Sequence, residues 1–338
     1  MALPEVEPRD ASLQSSAPSS VIEGNLLGPT PYVYQRVDRN EDFFRWVSSR
    51  GNEVEHNLRK FGAVLFRGFS LTSQAVFDRV LGLMCRQVIA GYGDLPPEKG
   101  SDRVYGSTPY RSDRTILFHN ESSHLPSWPT RQFFGCVIAA EEGGETPVAD
   151  CRRIYQKLSP AVRDKFAGKG LLYVRHFIEG FDVTWQAFFK TEERARVEQI
   201  VSERGGSLNW LANGTLRVSQ PAQAVARNAV TGEWSFFNQI MLHHPYFLPA
   251  EDREALSYVF APDALPRSVF YGDQSSIEER ALQEIKELYA AEAVAFRWQA
   301  GDLLMVDNMS VAHARRPFRG ARKIIVGMGD PIELGKGS

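Results

Sequence analysis

Apolar positions along the chain change their period several times, and each change marks an element. Over residues 39–60, Phe43, Phe44, Trp46, Val47, Val54 and Leu58 recur near helical spacing, and Gly62 supplies a stop. The apolar run from Gly62 to Gly68 is bounded by glycines and predicts a strand. A second helix is predicted over 72–86, where Val76, Phe77, Val80, Leu81 and Met84 form a core-facing stripe.

From about 101 to 150 the pattern shifts to short apolar runs separated by turn residues. Thr115–Phe118, Gln132–Ile138 and Pro147–Ala149 read as strands. Residues 150–205 read as mostly helical, interrupted by a strand over Leu171–His176. Strand-like runs return at Ser207–Trp210, Leu216–Val218 and Trp234–Phe237. A helix is predicted over 277–290, opened by the capping box Ser276-x-x-Glu279. Strands are predicted last at Val294–Trp298, Asp302–Val306 and Lys323–Met328. Strand-rich blocks flanking a helical insert predict a mainly β fold with helical insertions, a double-stranded β-helix (jelly roll) in a single domain over 29–338. Residues 1–28 read as a flexible lead.

Composition narrows the class. The chain has 338 residues, 43% hydrophobic and 24% charged, enough for a sizeable core in a soluble protein. A net charge of -2, without a basic run, gives no sign of a nucleic-acid partner. No apolar run is long enough for a membrane span, and the acid-bearing N-terminus is not a secretory signal. Cys85, Cys136 and Cys151 are scattered and form no CxxC pair, as expected of free thiols in a cytoplasmic protein.

The candidate chemistry lies in His119-Asn120-Glu121. In a strand, the imidazole and the carboxylate would share one face. Such a triplet is common by chance, and a surface or capping role is its commoner use. Three features raise it. An apolar strand precedes it. A glycine turn, Gly143-Gly144, brings the Thr146 hydroxyl back toward the strand edge. His313 lies in a later strand-rich block, followed by Arg322 at the start of another apolar run, where a guanidinium offers a fork for a carboxylate. Two histidines and one carboxylate with open positions suit non-haem Fe(II).

With these residues in place the chain resembles the taurine dioxygenase family, within the clavaminate synthase-like superfamily. The matching segments are Gly62–Phe69, His119–Glu121, Gly143–Pro147, Phe236–Gln239, Gly301–Asn308 and His313–Arg322. The last of these is closest to members from natural-product pathways. The resemblance implies Fe(II) on His119, Glu121 and His313, 2-oxoglutarate on Arg322 and Thr146, O2 as oxidant, and a lid from the helical insert. It also implies oxidation of a small amino-acid- or peptide-like substrate, free or carrier-tethered. Related halogenases lack the carboxylate, so Glu121 predicts oxygenation. Most members have Asp there, and the extra methylene of Glu leaves fine geometry open. Rival readings are a cupin-like hydrolase or isomerase and a non-catalytic binding protein. His124 is expected to be a neighbour rather than a ligand. His243 and His244, read in a strand, cannot both face inward, and Asn238 is a candidate for the pocket wall. Tyr110, Trp128, Phe133, Trp234 and Phe236 are expected to pack the barrel rather than line a pocket.

Overall fold

The structure is a computed structural model that describes residues 20–93, 95–181 and 183–333. The described residues open with β1 (Val21–Gly24) and β2 (Tyr32–Arg36), then α1 (Phe43–Phe61), β3 (Ala63–Arg67) and α2 (Gln74–Met84). Next come β4 (Tyr105–Gly106), β5 (Ile116–His119), β6 (Ser127–Ile138), β7 (Glu142–Gly143) and β8 (Val148–Asp150). The helical stretch holds α3 (Cys151–Lys157), α4 (Pro160–Lys169), β9 (Leu171–Phe177), α5 (Trp185–Phe189) and α6 (Arg194–Glu203). Then follow β10 (Ser207–Trp210), β11 (Leu216–Ala222), β12 (Ala226–Arg227), β13 (Trp234–Ser235), α7 (Ile240–His243), α8 (Ala250–Val259), β14 (Arg267–Tyr271) and α9 (Glu279–Glu292). The described residues close with β15 (Leu303–Asp307), β16 (Val311–Arg315), β17 (Phe318–Arg319) and β18 (Lys323–Glu333).

Seven strands form the main sheet in the order β1-β2-β3-β15-β6-β18-β4, antiparallel except for β2 beside β3. Its central strands are buried on both faces. Val64, Phe66, Phe133, Met305 and Ile325 pack against α1 and α2 through Trp46, Leu58, Phe77 and Leu81. Each such large apolar side chain contributes roughly 1.5–3 kcal/mol on burial. The opposite face carries Leu65, Phe134, Cys136, Val306, Ile324 and Val326, packed with Val148, Val311 and Trp298. Val148 and Val311 belong to a three-stranded sheet, β5-β16-β8, so two sheets meet across this second core. A four-stranded sheet, β10-β11-β9-β14, stands beyond.

Helix α1 lies close to its predicted place. Asp42 caps its start by accepting from the Arg45 N–H, and Gly62 ends it at φ 75. A Cβ on Gly62 would come within 2.4 Å of the Val311 side chain, so the helix end doubles as a contact with β16.

Several expectations need correction. Of the lead expected over 1–28, residues 1–19 lie outside the described residues, but β1 pairs with β2 and Val21 is buried. Val294–Trp298 is not a strand. Only Val294 bridges to Val148, and Phe296 and Trp298 supply core contacts without a ladder. The capping box does not form either. Helix α9 begins at Glu279 with no side-chain cap, and the preceding Glu278 accepts from the Tyr271 hydroxyl and pairs with Lys165. His243 and His244 end a short helix rather than lying in a strand.

Candidate metal centre

The site sits between the inner face of the main sheet and the three-stranded sheet. His119 is the last residue of β5, and its cross-strand partner on β16 is His313. Directly opposed residues on antiparallel strands have Cα atoms about 4.5–5.5 Å apart, and the two imidazole centroids are 4.2 Å apart. Glu121 is not in the strand. β5 stops at His119 because the Glu121 N–H is taken by Asn308 Oδ1 at 2.7 Å, while Asn308 Nδ2 donates to the Glu121 carbonyl at 2.9 Å. Asn308 is fully buried in the connection from β15 to β16, so the Glu121 turn is strapped to the strand that carries His313.

The donor atoms of His119, Glu121 and His313 lie within 4.8 Å of one another. His119 Nδ1 faces the Leu117 carbonyl at 2.8 Å, which directs that nitrogen's proton outward and frees the other nitrogen as a ligand. Burial, and after it the charge of His119, hold His313 well below the ordinary imidazole range, so it is neutral. Two imidazole nitrogens beside a carboxylate make a donor set suited to a divalent transition metal with positions to spare.

The three donors open into a pocket that is partly open to solvent. Ser107, Thr108, Gln132, Phe134, Thr146, Arg315 and Arg322 are also in its wall. Thr146 is buried and accepts from Trp298 Nε1 at 3.1 Å. Arg322 Nε donates to the Gly144 carbonyl at 3.0 Å. That carbonyl is offered by a turn in which Gly144 has φ 72 and a Cβ would come within 3.0 Å of the Arg322 side chain. No carboxylate among the described residues forms an ion pair with Arg322. Burial, then the neighbouring charge of Arg315, bring its guanidinium down to about 10. Arg315 is buried, and its terminal nitrogens donate to the carbonyls of Tyr110, Arg111 and Arg114. A pocket with two cations, a hydroxyl and three metal-type donors fits a dianionic chelator.

All five residues singled out from the sequence therefore meet in one pocket. The others separate from it. His124 packs against Tyr173 and His243, ring centroids 5.8 and 5.6 Å away, outside the pocket wall. His244 Nδ1 accepts from the Tyr246 N–H. Asn238 is buried and bonded to Ala224, Asn120 and Ile240, so it braces the fold rather than lining the pocket. Trp128, Phe133 and Phe236 are core residues, while Tyr110 and Trp234 are exposed. Sequence reasoning missed Asn308, Gln132 and Tyr92. A polar residue within an apolar run, as at Asn308 and Gln132, was the available signal.

The sequence profile of the "Taurine catabolism dioxygenase TauD, TfdA family" matches residues 28–328. The dapdiamide synthesis protein DdaC of Enterobacter agglomerans is 33% identical over 281 residues, covering 82% of this chain and 85% of that protein. A clavaminate synthase-like protein of Arabidopsis thaliana is 26% identical over 303 residues, 85% of this chain and 87% of its own. Among solved structures, a taurine dioxygenase from Burkholderia xenovorans superposes with a TM-score of 0.56 at 17% identity, over 95% of this chain and 93% of that one. PvcB, described as an Fe, alpha-ketoglutarate dependent oxygenase from an isonitrile synthetic pathway, gives 0.55 at 14% identity, over 95% and 96%. The profile spans nearly all of the described residues, including every residue of the pocket, and the chain belongs to the TauD, TfdA family as an Fe(II)- and 2-oxoglutarate-dependent dioxygenase.

Proposed function

We propose that His119, Glu121 and His313 hold the ferrous ion, and that Arg322 and Thr146 receive the distal carboxylate of 2-oxoglutarate. The observation that carries this reading is the convergence of the three donors within 4.8 Å, in the same pocket as a guanidinium without an acid partner. Bound there, Fe(II) would supply the O2 chemistry that couples oxidative decarboxylation of 2-oxoglutarate, to succinate and CO2, with oxidation of a substrate C–H. The chain's residues prepare that step. Leu117 fixes the ring of His119 through its carbonyl. Arg322 neutralises the cosubstrate's far end and stays charged at physiological pH. Leu95, Ile116, Phe134, Ile324 and Val326 form an apolar wall that limits water.

Glu121 fills the position that a halide would need, which favours hydroxylation, or desaturation, cyclisation or epoxidation, over halogenation. The substrate is a small amino-acid- or peptide-like molecule, free or carrier-tethered, in natural-product biosynthesis. The dapdiamide synthesis role in the name of DdaC supports that class. The architecture is read as a double-stranded β-helix, supported by the two sheets that face each other across the pocket. The family resemblance alone supports reading the helical insert of residues 150–205 as helping to form a lid, since none of its residues lines the pocket. Three unpaired thiols suit the reducing cytoplasm.

The test is an anaerobic titration of the protein with Fe(II) and 2-oxoglutarate, followed by a screen of amino acids and short peptides scored by succinate release. A visible charge-transfer band that needs both additions is expected. Turnover without 2-oxoglutarate would exclude the reading.

A further inference from the structure

Glu121 enters the site from a turn, so no strand geometry fixes its carboxylate. Two side chains do. The Tyr92 hydroxyl lies 2.6 Å from Glu121 Oε1, and Gln132 Nε2 lies 3.2 Å from Oε2. Tyr92 is also 2.8 Å from Ser122 Oγ. A phenol has one proton, and the carboxylate can only accept it, so Ser122 is the donor to Tyr92 and the three groups form a directed chain. Tyr92 is set in place by its own N–H, which donates to the Tyr105 hydroxyl at 2.8 Å, and by an edge-on contact between the two rings. Gln132 is buried in β6, with Val306 and Met328 as its neighbours on the flanking strands. The ladder gives its carboxamide no polar side chain, and the amide turns to Glu121.

We propose that Tyr92 and Gln132 are positioning residues that clamp Glu121, one hydrogen bond on each carboxylate oxygen, so that it offers the metal a single oxygen. This rests on the reading that Glu121 is a ligand. A carboxylate free to rotate can chelate through both oxygens and occupy a position that the 2-oxo acid or O2 needs. A donor on each oxygen opposes that rotation. The clamp also explains why the longer acid serves here. Aspartate at 121 would draw the carboxylate back by roughly 1.5 Å, one C–C bond, out of reach of both donors.

The experiment uses full-length Tyr92→Phe, Gln132→Met, Glu121→Asp and the Tyr92→Phe/Glu121→Asp double variant. Each is titrated anaerobically with Fe(II) alone and then with 2-oxoglutarate. The Fe(II) dissociation constant and the position of the visible band are read, and the metal-free melting temperature serves as the control for folding. Tyr92→Phe and Gln132→Met should each weaken Fe(II) binding roughly 10- to 100-fold, the usual effect of losing a ligand's hydrogen-bond partner, and move the band. In the Glu121→Asp background Tyr92→Phe should cost less than about threefold more, because coupled residues are non-additive. Dissociation constants within about twofold of wild type, or the full Tyr92→Phe penalty in the Asp background, would overturn the clamp. If Gln132→Met does not fold, Tyr92→Phe decides alone, since it removes one oxygen atom. A wild-type protein without the band refutes the metal-site reading itself. A wild-type band with silent variants refutes only the clamp.

Discussion

Replacing Arg322 by methionine should separate function from stability. The guanidinium is largely enclosed, its one protein hydrogen bond among the described residues is to the Gly144 carbonyl, and Arg315 repels it. Its charge is therefore a burden on the cosubstrate-free protein and an asset once a carboxylate arrives. Truncating one partner of a buried, hydrogen-bonded charge pair costs about 2–5 kcal/mol. At about 1.4 kcal/mol per tenfold, that is a loss of about 30-fold to a few thousand-fold in 2-oxoglutarate affinity. The hydrogen bond to Gly144 contributes only about 1 kcal/mol, and removing an unpaired buried charge offsets it, because apolar replacements of buried ions are often neutral or stabilising. Affinity is read from the growth of the visible band with 2-oxoglutarate at saturating Fe(II), and stability from the metal-free melting temperature. Pyruvate, which lacks the distal carboxylate, should bind wild type and variant alike. The reasoning is refuted if the variant binds 2-oxoglutarate within about threefold of wild type, or if it melts more than about 4 °C lower, which would make the guanidinium a structural brace.

Other outcomes follow from the same geometry. Glu121→Ala and His313→Ala should each abolish Fe(II) binding at stoichiometric metal and substrate-coupled succinate formation, as equilibrium dialysis and product assay will show. Asn308→Leu orphans the part-buried N–H and carbonyl of Glu121, each worth up to about 1–3 kcal/mol, so the urea midpoint should fall and Fe(II) affinity with it. Burial, then Arg175, holds His124 down to about 3, and burial holds His244 to about 4. Both sit below the unfolded imidazole value, so the unfolded chain takes up protons first. Their contribution to stability is intact above about pH 6.5 and falls by up to roughly 1.4 kcal/mol per group for each pH unit below it. Urea midpoints of metal-free protein at pH 7.5 and 5 should differ accordingly, and equal midpoints would exclude it.

Legibility in the sequence followed how local each cause is. Helices α1 and α2 were readable because each has one apolar face and a short polar cap. β16 left no signal, since Val311–Arg315 is buried at every position and so has no alternation. That β5 stops at His119, short of Glu121, was not legible, because its cause, the Asn308 side chain, is far away in sequence. The capping box failed because Glu278 pairs with Lys165 and Tyr271, again a distant event. Residue types carried the site further than elements did. His119, Glu121, Thr146, His313 and Arg322 were all marked by chemistry and family resemblance. Tyr92, in a loop without periodicity, had nothing to mark it.

The pairing of His119 with His313 across β5 and β16 has a bearing on how this protein can change. The distance between the two imidazoles is a property of neighbouring strands, so the long stretch of chain between them does not set it. Helices can lengthen, loops can be exchanged and the region over the pocket can be rebuilt for another molecule while the metal donors stay where they are. The one alteration this arrangement does not forgive is a single-residue slip of β16, which would turn His313 to the opposite face. New chemistry on this scaffold is thus expected to arise by replacing what covers the centre, with the register of two short strands as the part held fixed.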